Sequence, residues 1–283
     1  MDLTDALKAV VMGAVEGLTE FLPVSSTGHL IAISALIGFM RDPADEAFRK
    51  MFSIVIQFGA ILAILVVFRE RVWRVVSTFH RDPASRSFVA KLAVGFIPVG
   101  IIGLLTNRFV QDHLMNTGTV AAMLVIGGVV ILLVERRQAK RSDPPVHDDA
   151  MNLPWGIAIA VGCCQCFSIL LPGASRSAAT ILGGVLLGLS RKAAAEFSFF
   201  LAIPTMLAAS TYSLLKHPGG FDDPRMPLLA IGFVTTFVVA WAVVAWLLRF
   251  LASHSFVIFG WYRIVAGLIL LGLLVAGVVG WKE

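Results

Sequence analysis

Four uninterrupted apolar runs, residues 51–68, 117–134, 197–215 and 226–248, carry no charge and approach or exceed the length that crosses about 30 Å of hydrocarbon as a helix. Helices apolar on every side belong in a bilayer, and the rest of the chain agrees: of 283 residues, 58% are hydrophobic and 14% charged, against about a quarter charged in a soluble domain. Residues 92–106 and 255–281 are predicted as two further spans. The second contains Arg263, which is expected to snorkel toward the interface. The net charge of +5 lies in short loops between spans, where basic residues set orientation, so nucleic acid is not expected as a partner. Asp2 and Asp5 precede the first lysine, a pattern unlike a cleaved signal peptide. Cys163, Cys164 and Cys166 share one apolar stretch and read as small residues packing a helix, since no other cysteine exists to build a disulfide framework.

The chain also repeats itself. Laying residue n over n+149 pairs Gly13 with Gly162, Glu16 with Gln165, Thr19 with Ser168, Leu22 with Leu171, Pro23 with Pro172 and Ser26 with Ser175. Further on, the offset falls to 145, and Phe52-Ser53 meets Phe197-Ser198. Each copy opens with two apolar pieces separated by proline and a run of hydroxyl residues: residues 6–22, PVSSTGH and 30–40 in the first, then 153–171, PGASRS and 178–189 in the second. These pieces are too short to cross and return through water, so each set is predicted as a re-entrant helix, loop and helix, with the polar turn covered by protein or a wet cavity. Three ordinary spans follow in each copy.

The expected fold is therefore an all-α, polytopic membrane protein forming one membrane domain over 1–283. Residues 1–150 form a first repeat and 151–283 a second, inverted one, because an odd number of crossings turns the second copy over. With the N-terminus outside, 13 basic residues face inward: six from Arg69 to Lys91, four from Arg136 to Arg141, Arg191 with Lys192, and Arg249. Eight face outward: Lys8, Arg41, Arg49, Lys50, Arg108, Lys216, Arg225 and Lys282. The bias has the sign expected of a plasma-membrane protein.

Ionisable groups inside the spans carry the functional signal. Glu16 and Glu20, four apart on a helix, place two carboxylates on one face, where they raise each other's proton affinity or share a cation; magnesium or calcium fits such a pair, and no organic cofactor is called for. In the first turn Pro23 is expected to end a half-helix, followed by Ser25, Ser26, Thr27, Gly28 and His29. The half-helix beyond offers free N–H groups and a positive dipole end to phosphate, and Gly28 permits close backbone approach. The second turn repeats the design with Gly173, Ser175 and Ser177, and adds Arg176, whose planar fork can hold two phosphate oxygens. Opposed re-entrant turns meeting near the midplane would set Arg176 beside Glu16, Glu20 and His29. An anion site of this kind fits phosphoryl chemistry, and it equally fits a secondary transporter or lipid flippase.

The motifs decide between these. VEGLTEFLPVSSTGHL (residues 15–30) and PGASRSAAT (residues 172–180) resemble the two signatures of the undecaprenyl-diphosphate phosphatase family of the bacitracin-resistance type. FSIVIQFGAILA, KLAVGFIPVGIIGLL, AEFSFFLAIPTML and WYRIVAGLILL are similar to further family segments in the family's order. Ala178 departs from the glycine common there. The resemblance implies a bacterial plasma-membrane enzyme, open to the outer side, that removes the terminal phosphate of a polyprenyl diphosphate lipid among membrane lipids; a homodimer is compatible with it. By motif, Glu16 and Glu20 correspond to the acidic pair, Ser26 and His29 to nucleophile and acid/base positions, and Ser175, Arg176 and Thr180 to the phosphate loop. Whether Ser26, His29 or a water attacks stays open at this point.

Overall fold

The computed structural model describes residues 2–40, 42–140, 145–217 and 222–281; Arg41, Arg141 and Lys282 of the charge count lie outside the described residues. The described chain is helical: α1 (Leu3–Thr19), α2 (Ser26–Ile37), α3 (Glu46–Val67), α4 (Arg69–Thr78), α5 (Pro83–Phe109), α6 (Thr117–Ala139), α7 (Trp155–Leu170), α8 (Arg176–Leu186), α9 (Arg191–Lys216), α10 (Met226–Leu251) and α11 (Val257–Val275). Among the described residues six helices, α3, α5, α6, α9, α10 and α11, are long and apolar enough to span a bilayer, and the protein is a multi-pass membrane protein. Leu104, Leu105 and Val275 point outward, more than three-quarters exposed, as lipid-facing side chains do.

The span expected over residues 92–106 is much longer than expected. Asp82 caps α5 by accepting from the backbone N–H of Ala84 (3.0 Å) and Ser85 (3.1 Å), and Pro83 occupies the first turn, where its missing N–H costs nothing. Lys91, which ended the apolar run on paper, lies inside the helix with its ammonium over the Trp155 ring at 5.7 Å.

The four helices α1, α2, α7 and α8 form two antiparallel pairs. Lys8 Nζ, near the start of α1, donates to the carbonyl of Gly38 at the end of α2 (3.0 Å). Just before α7 and just after α8, the Ser190 N–H reaches the His147 carbonyl (2.9 Å). The first pair breaks earlier than the sequence indicated. α1 ends at Thr19, four residues before Pro23, and residues 20–24 form the turn.

Glycines set these helices against the spans. An added Cβ at Gly13 would lie 2.4 Å from the Gly232 carbonyl of α10, and one at Gly17 would lie 2.8 Å from the Thr236 carbonyl. In the other half, a Cβ added at Gly162 of α7 would lie 2.4 Å from the Gly95 carbonyl in α5. Thus α1 lies on α10 while α7 lies on α5, each against a span of the other half. Cys164 covers Gly183, as a small packing residue would.

Polar contacts sort the loops into two ends. Arg225 pairs with Asp45, joining the α2–α3 and α9–α10 connections, and the Thr117 N–H donates to the Trp281 carbonyl at 3.0 Å, joining the start of α6 to the residues after α11. At the other end Glu135 accepts from Arg191 Nε (3.0 Å) and from the Phe256 N–H (3.0 Å), Gln138 donates to the Val185 carbonyl (2.9 Å), and Arg71 pairs with Glu196 (2.5 Å).

Candidate active site

The turns between α1 and α2 and between α7 and α8 share one backbone device. A serine stands just ahead of each second helix with a left-handed backbone, Ser25 at φ 70° and Ser175 at φ 73°, a conformation that is strained for a residue with a side chain. The next residue begins the helix: Ser26 for α2, Arg176 for α8. Both therefore sit among free N–H groups at the positive end of a helix dipole. Ser175 accepts a capping bond from the Ala178 N–H (3.2 Å) and donates to Ser177 Oγ (3.0 Å), whose own proton goes to the Leu22 carbonyl; Ser25 makes no side-chain capping bond.

Glu20, in the first turn, joins the two. Ser26 Oγ donates to Glu20 Oε2 at 2.6 Å, and Arg176 Nη2 donates to Glu20 Oε1 at 3.1 Å. Arg176 Nη1 reaches the Ser198 carbonyl at 3.2 Å, and the guanidinium lies 5.8 Å above the Phe21 ring. Ser26, Glu20 and the Arg176 side chain are all about one-tenth exposed, so their charges are weakly screened. Ser177 Oγ ties the second turn to the first through the Leu22 carbonyl (2.9 Å). Thr180 Oγ1 holds the first turn of α8, donating to the Arg176 carbonyl (2.8 Å) beside Ser198 Oγ (2.5 Å).

Other predicted residues stand differently. Glu16 is fully buried and neither of its carboxylate oxygens has a hydrogen-bond partner. His29 makes no hydrogen bond to the acidic pair, Ser26 or Arg176. Its Nδ1 donates to the Ser25 carbonyl (2.8 Å) and its Nε2 meets the Tyr262 hydroxyl (2.7 Å), the rings stacked 5.5 Å apart. Gly28 is packed against α6, where a Cβ would lie 2.8 Å from Leu124 Cδ1, and Thr27 is half-buried. Gly173 has φ +91° and touches the Val120 backbone, another approach only glycine allows.

Arg263 does not snorkel. It is fully buried and its guanidinium donates to four carbonyls: Nη1 to Pro23 (3.2 Å), Nη2 to Gly173 (2.9 Å) and Met123 (2.9 Å), and Nε to Leu124 (3.3 Å). The cost of bringing a cation to that depth is offset only by such saturation with dipoles. Tyr262, Arg263 and Ser198 went unrecognised as site residues. The one available signal was an arginine and a tyrosine side by side within a span.

The arrangement offers a hydroxyl hydrogen-bonded to a carboxylate, an arginine on that carboxylate's other oxygen, and two helix N-termini. Such a set can hold an anion, remove a proton from the hydroxyl and stabilise charge that develops beside it.

Comparison with known proteins agrees in kind. The family described as "Bacitracin resistance protein BacA" matches residues 9–269. The chain is 46% identical over 283 residues to the undecaprenyl-diphosphatase of Acidovorax ebreus, covering both chains fully, and 48% identical over 283 residues to that of Azotobacter vinelandii, covering 99% of the relative. It is 45% identical over 282 residues to undecaprenyl-diphosphatase 2 of Rhodospirillum rubrum, again over the full length of both.

Proposed function

Because the chain belongs to the bacitracin resistance protein BacA family, we propose that it hydrolyses undecaprenyl diphosphate to undecaprenyl phosphate and inorganic phosphate. It thereby returns a lipid carrier for cell-wall synthesis, and that activity underlies bacitracin resistance. The protein lies in the bacterial plasma membrane with the two turns open to the outer side, the basic loops around Arg81 and Arg137 facing the cytoplasm. Its halves, 1–150 and 151–283, are inserted in opposite senses. The matching left-handed serines and the reciprocal packing of α1 on α10 and α7 on α5 support that reading.

The observation that carries the mechanism is the 2.6 Å bond from Ser26 Oγ to Glu20, with Arg176 on the other carboxylate oxygen. Ser26 Oγ attacks the terminal phosphorus as Glu20 takes its proton. The bond from that phosphorus to the bridging oxygen breaks, and undecaprenyl phosphate leaves. Arg176 and the N–H groups opening α2 and α8 face the charge that builds on the transferred phosphoryl oxygens. Glu20 passes its proton to the departing undecaprenyl phosphate; ionised again, it takes a proton from the water that displaces the serine oxygen and hands it to Ser26 Oγ, and inorganic phosphate is released. His29 is engaged at both ring nitrogens, which favours Ser26 as nucleophile and leaves the imidazole to orient the turn. Glu16, with two unpartnered buried oxygens, and Glu20 one turn on would hold a magnesium or calcium ion. Bound there, a cation would neutralise phosphate charge.

Purified protein in detergent should release phosphate from undecaprenyl diphosphate, with a chelator measuring any cation dependence. A secondary transporter or flippase would release none, since detergent removes the membrane to transport across.

A further inference from the structure

The two strained turns are gripped at the same place by one side chain. Pro23 lies two residues before Ser25 and Gly173 two residues before Ser175, and their carbonyls accept from Nη1 (3.2 Å) and Nη2 (2.9 Å) of the same guanidinium, that of Arg263. The other two contacts, to Met123 and Leu124, pin that guanidinium to the middle of α6. A carbonyl's direction fixes its peptide plane, so the Pro23–Val24 and Gly173–Ala174 planes, each one residue ahead of the peptide that enters the left-handed serine, are held from outside the turn. Within the turns the other backbone holds are Val24 N–H to the Leu22 carbonyl (2.7 Å) and Ala174 N–H to that of Leu171 (2.9 Å), both local, with Ser177 Oγ on the Leu22 carbonyl (2.9 Å) and His29 Nδ1 on that of Ser25 (2.8 Å). Strained backbone of this kind persists only where its surroundings over-determine it. The neighbouring Tyr262 adds a second hold on the first turn through His29 Nε2.

We propose that Arg263 is a positioning residue which, by clamping the equivalent carbonyls of both turns, holds Ser25 and Ser175 left-handed and so sets Ser26 and Arg176 at their working separation. It touches no substrate. Its charge is spent on four backbone dipoles, and its fork shape matters because two separate N–H groups must reach two separate chains. Lysine, with one nitrogen on a flexible stem, cannot span both carbonyls. The proposal rests on the reading of Ser26 and Arg176 as the reacting and phosphate-holding groups. A displacement of about 1 Å in such groups can cost on the order of 100-fold in rate.

The test begins with phosphate release by the wild type, because a wild type without diphosphatase activity would sink the functional reading rather than this one. Given an active wild type, Arg263→Lys should lower kcat by about 10- to 100-fold while KM stays within about threefold, since Arg263 donates to backbone carbonyls rather than to substrate. Gly127→Ala provides a second route that leaves Arg263 in place. The new Cβ would lie 2.2 Å from Arg263 Nη2 and push the guanidinium off its carbonyls, so the same split between kcat and KM is expected. The discriminating measurement repeats Arg263→Lys in a Ser25→Gly background. Glycine adopts φ 70° without strain, so the penalty of Arg263→Lys on kcat should shrink several-fold there. An equal penalty in both backgrounds, or wild-type kcat in both Arg263→Lys and Gly127→Ala, would overturn the proposal.

Discussion

Replacing Arg176 by lysine keeps the charge and removes the fork. In the structure Nη2 holds Glu20 Oε1 at 3.1 Å while Nη1 holds the Ser198 carbonyl at 3.2 Å, across a guanidinium that rests 5.8 Å above Phe21. A single Nζ can keep one of these contacts and loses the other, along with the flat face on the ring. A hydrogen bond to a charged group contributes about 1.5–3 kcal/mol, and the site is little exposed, so screening reduces this only slightly. If the donor that is lost also faces the transferred phosphoryl group, and about 1.4 kcal/mol is tenfold in rate, Arg176→Lys should lower kcat by about 10- to 100-fold. Misplacement of Glu20, which shares the arginine, extends the upper limit to about 1000-fold. The assay is initial-rate phosphate release from undecaprenyl diphosphate in detergent, with expression and melting temperature checked alongside. A kcat within threefold of wild type, in a variant that folds normally, would refute the reasoning and make Arg176 a packing residue.

The remaining predictions concern assembly and orientation. Gly13→Ala should destabilise the protein by about 1–3 kcal/mol, because its Cβ would stand 2.4 Å from backbone of α10, whereas Gly272→Ala, with nothing within 4 Å, should shift the melting temperature little. Outside the membrane, Arg225 and His217 beside Asp223 hold its carboxyl well below the usual carboxylate range. A group with a depressed folded-state pKa stabilises above its unfolded value of about 3.9 and loses that contribution as pH falls, so the stability difference between wild type and Asp223→Asn should be full at pH 7 and shrink from about pH 5 downward. A difference that stayed constant to pH 3 in thermal melts would contradict this. In a background without Cys163, Cys164 and Cys166, cysteines at Arg81 and Arg137 should resist impermeant thiol reagents in intact cells and react after permeabilisation.

What the sequence made legible follows from which forces are local. Six spans and two broken segments could be read because charge and proline interrupt apolar runs wherever they occur, and among the described residues there are six helices long enough to span, with α1–α2 and α7–α8 as the broken pairs. The limits of α5 could not be read that way: Lys91 looked like an interface residue until α7 supplied the Trp155 ring. Glu20 with Ser26 was within reach of local reasoning, six residues apart. Arg263 was not, since its carbonyl partners lie 90 to 240 residues away and no periodicity announces a carbonyl. The orientation of His29 was out of reach for the same reason: spacing put it near Ser26, and its ring is turned by Tyr262, 233 residues on.

The central claim is that Ser26, with its proton passing to Glu20, carries the terminal phosphate through the reaction. Rapid acid quenching of enzyme turning over undecaprenyl diphosphate labelled in that phosphate tests it directly, because a phosphoserine survives acid and a phosphohistidine does not. The account predicts acid-stable label on Ser26, absent from Ser26→Ala and accumulating or slowed in Glu20→Gln. Acid-labile label that persists in Ser26→Ala and disappears in His29→Ala would contradict it, as would no covalent label at any time during turnover.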